Sequence, residues 1–353
     1  MTHFGEDIQS AFRDRICAQL ALWLPAETVA EAKVRTLPGG AVNRNFLIDV
    51  GDALVLRLAP PPETRSDIGI DMANSATVAT IAGQAGVGPL VLGVDEATGD
   101  SLIQYVPGVL NVNTIRDDEV LARVGAAVRR LHELPAEGIR RVSAFVEIEE
   151  WLGNAVGRGA QIPDGAPQMW ELLDRCRSIL GNVEGECLSH RDLNPQNCIY
   201  TDGAVKLIDW DFSGVDSPYL DMAMLATYAQ LDDSQLDVFL DAAISDRQPA
   251  DLARVQLMRF VHALREWAWC LSASDTLVDQ TDAETALLPT EANAEGNFYD
   301  GYREVNWRFA ERLPNDPRWE SWLEEAASSL PAPGFRWATQ APDRVRPLSE
   351  VTA

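Results

Sequence analysis

His190-Arg191-Asp192-Leu193 is followed by Asn197 and, twelve residues after that, by Asp209 within Ile208-Asp209-Trp210-Asp211. A carboxylate, an amide and a second carboxylate in one short stretch are the side chains that phosphoryl transfer asks for. That reaction needs one carboxylate to orient the attacking hydroxyl and take its proton late, and others to hold Mg²⁺ beside the phosphates. Asp192 is the candidate catalytic residue, and Asn197 and Asp209 are the candidate metal ligands. Their oxygen donors suit a hard ion that demands octahedral geometry. His190 reads as a hydrogen-bonding member of the loop, because a carboxylate already fills the role of base. Chance would have to supply H-R-D-L-x-x-x-N and an apolar-flanked Asp209 together, so the pattern is specific.

These residues need a scaffold, and the flanking sequence offers one. Cys198-Ile199-Tyr200 and Val205-Lys206-Leu207-Ile208 read as two strands turning at Thr201-Asp202-Gly203, which would set Asn197 beside Asp209. Upstream, an amphipathic helix over 6–24 precedes three short strands at 33–37, 44–50 and 53–58, the form of an antiparallel meander. A helix over 67–83 and a strand pair at 90–94 and 101–105 complete a β-rich part. After Pro107-Gly108 the apolar spacing is helical at 114–134, 168–180, 218–230, 234–245, 251–273, 297–312 and 318–329. The fold class expected is α+β in two lobes: a small antiparallel sheet over 1–106 and a mainly helical lobe over 107–330. Residues 156–167 and 274–296 read as loops, and 331–353, with four prolines, as a flexible tail.

Composition narrows the partners. The chain has 353 residues, enough for two lobes, and 54 acidic against 29 basic residues leave a net charge of −25. Such a field repels nucleic acid and anionic membrane and tolerates a cationic substrate. Five cysteines without a C-x-x-C pair argue against disulfides and structural zinc, and four scattered histidines against a transition-metal centre. No run of apolar residues approaches a membrane span, and the opening MTHFGEDIQSAFRDR lacks the form of a signal peptide, so the expected location is the cytoplasm.

With these motifs in view, the chain resembles the aminoglycoside phosphotransferase and choline kinase superfamily, whose fold is related to that of protein kinases. It departs from protein kinases in having Asp209-Trp210-Asp211 where D-F-G is expected, no A-P-E, and Gly39-Gly40-Ala41-Val42-Asn43 in place of G-x-G-x-x-G. Leu37–Phe46, Val55-Leu56-Arg57 and Leu207–Gly214 leading to Pro218–Ala223 most resemble the choline and ethanolamine kinase branch. The resemblance implies a kinase-like two-lobed fold that uses ATP and Mg²⁺. It also implies that Arg57 contacts the nucleotide phosphates, a role its bidentate and permanently charged guanidinium suits. The Gly39-Gly40 turn and Asn43 or Asn45 would add donors to phosphate, and the backbone from Gln104 to Val106 would meet adenine. On the helix after the third strand, Asn74 and Ser75 stand where a glutamate is expected, which leaves the partner of Arg57 open.

For the acceptor, the resemblance points to a pocket of aromatic faces and carboxylates around a cation. Trp267, Trp269 and Tyr302 are the candidate walls. Asp211 would reach metal through water or line the acceptor pocket, and Asp221 would brace the catalytic loop. The expected activity is transfer of the ATP γ-phosphoryl group to the hydroxyl of a small cationic molecule, choline or ethanolamine first. Aminoglycosides, thiamine and other amino alcohols or sugars are the alternatives. A nucleotide-binding protein without turnover is a reading of a different class, suggested by the absent helix glutamate.

Overall fold

A computed structural model describes residues 2–37, 42–108, 112–181, 186–273 and 298–328. The first part of the chain forms β1 (His3–Phe4), α1 (Ser10–Trp23), α2 (Ala26–Glu31), β2 (Lys33–Leu37), β3 (Arg44–Asp49) and β4 (Ala53–Leu58). It continues with α3 (Pro62–Ile68), α4 (Met72–Gln84), β5 (Val91–Val94) and β6 (Ser101–Gln104). The strands make one sheet in the order β1-β2-β3-β4-β6-β5, antiparallel except where β1 joins β2. One face of it packs against α1, where Ile16 and Leu20 meet Phe46, Ile48, Leu56 and Leu102 in a small apolar core.

Where the sequence reads as one helix over 67–83, the chain forms two. Gly69 ends α3 in a left-handed conformation (φ 82°), and Asp71 starts α4 by accepting from the Asn74 amide. The linker after the sheet depends on a second glycine. Gly108 has φ 128°, and a Cβ there would lie 2.4 Å from the Tyr200 carbonyl oxygen.

The remainder is mainly helical: α5 (Val112–Ile115), α6 (Asp118–His132), α7 (Ala144–Gly157), α8 (Ala166–Leu180), α9 (Pro218–Tyr228), α10 (Asp233–Ala243), α11 (Pro249–Ala273), α12 (Phe298–Arg312) and α13 (Trp319–Ser328). Two small ribbons interrupt it, β7 (Cys187–Ser189) with β10 (Gly214–Asp216), and the hairpin of β8 (Cys198–Thr201) with β9 (Ala204–Leu207). The sequence reading leaves 144–155 unassigned, but Phe145, Ile148, Trp151, Leu152 and Ala155 bury one face of α7 in the large core. At its centre runs α11, 25 residues long and packed by α7, α9, α12 and α13. A helix apolar on every side belongs inside. Its buried Asp251, Arg254, His262, Arg265 and Glu266 therefore stand out. The expected loop 274–296 and tail 331–353 lie outside the described residues. Among the described residues, no helix is long and apolar enough to cross a membrane.

Candidate active site

The catalytic loop leaves β7 and is held from behind. Asp221, at the start of α9 and fully buried, accepts from the backbone amides of His190 (2.9 Å) and Arg191 (2.7 Å) and pairs with His132 of α6 (2.9 Å). Burial opposes the charge on His132, but Cys187 and Asp221 outweigh it and hold its pKa above the ordinary value. Arg191 takes a left-handed backbone (φ 62°), which a non-glycine residue adopts only where its surroundings enforce it. Its buried guanidinium supplies that enforcement through Asp216 (2.9 Å), both Glu147 oxygens (3.1 and 2.5 Å) and the Phe212 carbonyl (3.0 Å).

The same scaffold fixes His190. Its Nε2–H donates to the Ile208 carbonyl at 2.8 Å, which leaves Nδ1 to accept from the Asp192 amide at 3.3 Å. Burial lowers its pKa. A neutral imidazole with both nitrogens engaged orients the loop and takes up no proton.

In front of the loop the charged groups converge on one another. Asn197 Nδ2 donates to the Asp192 carbonyl (2.9 Å) and to Asp192 Oδ2 (3.0 Å), and Asn194 Nδ2 reaches Asp192 Oδ1 (3.3 Å). The β8–β9 hairpin closes with Ile208 N–H donating to Asn197 O at 2.9 Å, so Asp209 follows directly beside Asn197. Asp209 is itself left-handed (φ 67°). Arg57 Nη2, on β4, lies 2.6 Å from Asp209 Oδ1 and 2.7 Å from Asp211 Oδ2, and Asn43 Nδ2 donates to Asp211 Oδ2 at 2.7 Å. This supplies the partner that the sequence left open for Arg57. On α4, Asn74 Nδ2 donates to Ser213 O (2.7 Å) and Ser75 Oγ to Asp211 O (3.2 Å), so the helix holds the segment's backbone in place of an ion pair.

The carboxylates crowd electrostatically. Burial pushes Asp192 well above its usual range, and Asp209 and Glu266 push the same way. Burial also raises Asp209, to about 6, against the opposing pull of Arg57 and with a further push from Asp211.

On the far side of Asp192, the α11–α12 face presents Glu266, whose Oε2 accepts from Tyr302 OH at 3.0 Å. Tyr302 OH also bonds Tyr228 OH, on α9. Trp269 packs edge-on to Phe212 at 6.0 Å, and its indole donates to the Ile68 carbonyl at 3.4 Å. A buried relay joins this face to the back of the loop: Arg265 donates to Glu147 Oε2 (2.6 Å) and to Glu266 Oε1 (2.7 Å).

Residues 33–258 match the profile described as the phosphotransferase enzyme family. The chain belongs to that family. Protein LicA of Haemophilus influenzae is 24% identical over 212 residues, 58% of this chain and 60% of that protein, so the match spans less than two thirds of that relative. The fold is similar to that of a choline/ethanolamine kinase family protein from Mesorhizobium loti (TM-score 0.71, 23% identity, 90% of this chain and 99% of that one). It is also similar to that of choline kinase LicA from Streptococcus pneumoniae (TM-score 0.67, 17% identity, 86% and 99%). The two-lobed architecture is thus the protein-kinase-like one, a small sheet lobe on a helical lobe.

Against this phosphotransferase frame, Asp192, Asn197, Asp209 and Arg57 gather in one place, with Asn43 beside them. Asp211, expected to reach metal through water or to line the acceptor pocket, lies against Arg57 and Asn43. Trp267 departs from expectation. It is buried between Trp170 (6.0 Å) and Trp307 (4.9 Å), on the opposite side of α11 from Trp269. Gln104 donates its backbone N–H to Leu90 O at 2.8 Å at the end of β6, and Val106 is buried at the linker. Gly39 and Gly40 lie outside the described residues.

Glu266 and Tyr228 are the members that sequence reasoning missed. Glu266 has a signal, a carboxylate beside two tryptophans in a mainly apolar stretch and three residues from Trp269, which places the two on one face.

The donor set fits Mg²⁺. Asn197 turns its amide nitrogen to Asp192, so its oxygen is the atom left for a cation, and Asp209 and Asp211 add carboxylates. Asp211 Oδ1 and Asn43 Oδ1 are buried acceptors without a hydrogen-bond partner, a condition that a hard cation or its water relieves.

Proposed function

We propose that the chain transfers the γ-phosphoryl group of ATP to the hydroxyl of a small cationic molecule, with choline or ethanolamine first. The observation that carries this reading is the position of Asp192. One carboxylate stands between a phosphate-and-metal side (Arg57, Asn197, Asp209, Asp211) and an anionic, aromatic side (Glu266, Tyr228, Tyr302, Trp269). Residues 1–106 would hold the nucleotide and 107–330 the acceptor. The likeness to proteins described as choline or choline/ethanolamine kinases supports the choice of acceptor.

In this reading Asn197 and Asn194 aim the Asp192 carboxylate at the acceptor hydroxyl. The acceptor oxygen bonds the γ-phosphorus as the bridge to the β-phosphate breaks, ADP leaves, and the hydroxyl proton passes to Asp192. The raised pKa of Asp192 equips it to take that proton late, when the oxygen has already become acidic. Arg57 moves from its carboxylate partners to the phosphates. Mg²⁺, held by Asn197 and Asp209 with Asp211 nearby, would neutralise phosphate charge and shield the carboxylates from one another. Glu266 and the aromatic faces would receive the cation. Binding without turnover is the reading that the missing helix glutamate suggests; the pairing of Arg57 with Asp209 and Asp211 supports turnover, because it gives Arg57 acidic partners that the helix does not.

ADP release with MgATP across choline, ethanolamine, thiamine, an aminoglycoside and neutral sugars, run beside Asp192→Ala, tests the reading. Turnover of one or more cations that Asp192→Ala abolishes is expected. MgATP binding without turnover of any acceptor would sink it, and turnover of neutral sugars alone would remove the cationic assignment.

A further inference from the structure

A cavity of about 330 Å³ opens where the end of α9 meets α11 and α12, walled by Thr227, Tyr228, Arg259, Tyr302, Phe309 and Arg312. Its two guanidiniums are unusual in an acidic chain. Arg259 donates to Thr227 Oγ1 (3.2 Å) and Gln256 Oε1 (3.0 Å), both neutral acceptors. Among the described residues, neither Arg259 nor Arg312 has a carboxylate at ion-pair distance. Arg318 next to them is different, since Asp233 (2.6 Å) and Asp316 (3.0 Å) neutralise it. Both unpaired cations lie over the Phe309 ring, at 5.3 and 5.6 Å from its centre.

We propose that this cavity binds a small organic dianion of the phosphomonoester class, with Arg259 and Arg312 as its charge partners and Phe309 against its organic body. Two guanidiniums with neutral or no side-chain partners match the two charges and several oxygens of a phosphomonoester, and a monoanionic carboxylate would leave one cation unmatched. The crowding is visible in Arg259. Burial lowers its pKa to about 10, with Arg312 and Arg318 adding to the fall and Asp233 opposing it, a position that a bound dianion relieves. The site also has a route to the acceptor side: Tyr228 and Tyr302, which line it, bond each other, and Tyr302 donates to Glu266. An occupant that draws on those hydroxyls changes what Glu266 presents. The binding itself does not rest on the phosphotransfer reading.

The test is calorimetric titration of the full chain with phenyl phosphate and with inorganic phosphate, with and without a non-hydrolysable MgATP analogue to fill the phosphate side at Arg57. Phenyl phosphate is expected to bind with the analogue present, at least fivefold more tightly than inorganic phosphate. Arg312→Gln, at an exposed position, should weaken it at least tenfold, and Arg259→Gln more. Arg308→Gln, whose parent residue is exposed and paired with Glu304, should leave it unchanged. Affinity that survives Arg312→Gln, or that the nucleotide analogue abolishes, would overturn the site. Equal affinity for the two phosphates would overturn the organic class of ligand. Because binding is read directly, a failed turnover assay leaves this result standing, and the reverse also holds.

Discussion

Behind the catalytic loop, Arg191 meets Glu147 and Asp216, and Asp221 meets His132 and two backbone amides. In front of it, Asp209 and Asp211 share the single guanidinium of Arg57 while Asp192 faces Asp209 and Glu266. Both regions are rich in charge, yet only the rear one is mutually neutralised. Glu147 shows the difference: burial opposes its charge, but Arg191 and Arg265 hold its pKa down to about 2. Asp192 and Asp209 move the opposite way, and of the rear carboxylates only Asp216 joins them, where burial outweighs Arg191. Charges paired by the protein hold a shape, and charges left in excess are there for something the protein binds. The comparison predicts that activity and stability separate by region.

The largest effect is expected at Asp192. Asp192→Asn should reduce turnover by about 10²–10⁴-fold, the range for loss of a positioned acid–base group. Because the raised pKa means that the folded protein disfavours the charged carboxylate, the same change should leave the urea midpoint equal or higher. A clear loss of stability would show that Asp192 belongs with the rear charges, and the contrast between the regions would fail.

Arg191→Met is the mirror experiment. It strands Asp216 without its cation in a buried place and leaves Glu147 with Arg265 alone, and breaking such a pair costs about 3–5 kcal/mol. Urea unfolding should record that loss even with no ligand present. An unchanged midpoint would mean that the loop is held by backbone contacts alone.

The rear network also carries a pH signature. A carboxylate whose pKa is depressed in the folded state stabilises it above the unfolded value and loses that contribution as the pH falls towards the folded value. For Glu147 the window runs from about 4.5 down to about 2, and at about 1.4 kcal/mol per pKa unit the total is on the order of 3 kcal/mol. Measured as urea midpoints, the gap between the wild type and Glu147→Gln should narrow steadily below pH 4.5. A gap that stays constant to pH 3 would remove the ion pair as its cause.

The two regions were not equally legible in the sequence. Asp192, Asn197 and Asp209 fall within one short run, and the hairpin that joins Asn197 to Asp209 is marked by alternating apolar residues and an Asp-Gly turn, so local pattern was enough. Arg57 meets Asp209 from 152 residues away, and Arg265 meets Glu147 from 118. No periodicity encodes such meetings. The first is set by how the sheet sits over the segment after β9, and the second by how α11 packs against α7, a helix that the sequence reading leaves unassigned. Packing also decides the phase of α11. Two tryptophans two residues apart on a helix point roughly 200° apart at 3.6 residues per turn, so both could not face the acceptor. Aromatic type alone does not say which one does; in the proposed function Glu266 decides it.

That phase yields the smallest and most selective prediction. Trp269 shares a face of α11 with Glu266 and packs edge-on to Phe212, whereas Trp267 is buried between Trp170 and Trp307. Trp267→Ala should therefore cost stability, about 3–5 kcal/mol as for other buried aromatic truncations, with little change in acceptor KM for the fraction that folds. Trp269→Leu keeps an apolar side chain but removes the ring face. A cation–π contact contributes about 0.5–2 kcal/mol, so the KM for a quaternary ammonium acceptor should rise by roughly 2- to 30-fold, while the KM for MgATP stays level. Loss of a purely structural ring would raise the KM of neutral and cationic acceptors alike. A rise confined to the cations would place the charge of the acceptor against Trp269, on the same side of Asp192 as Glu266.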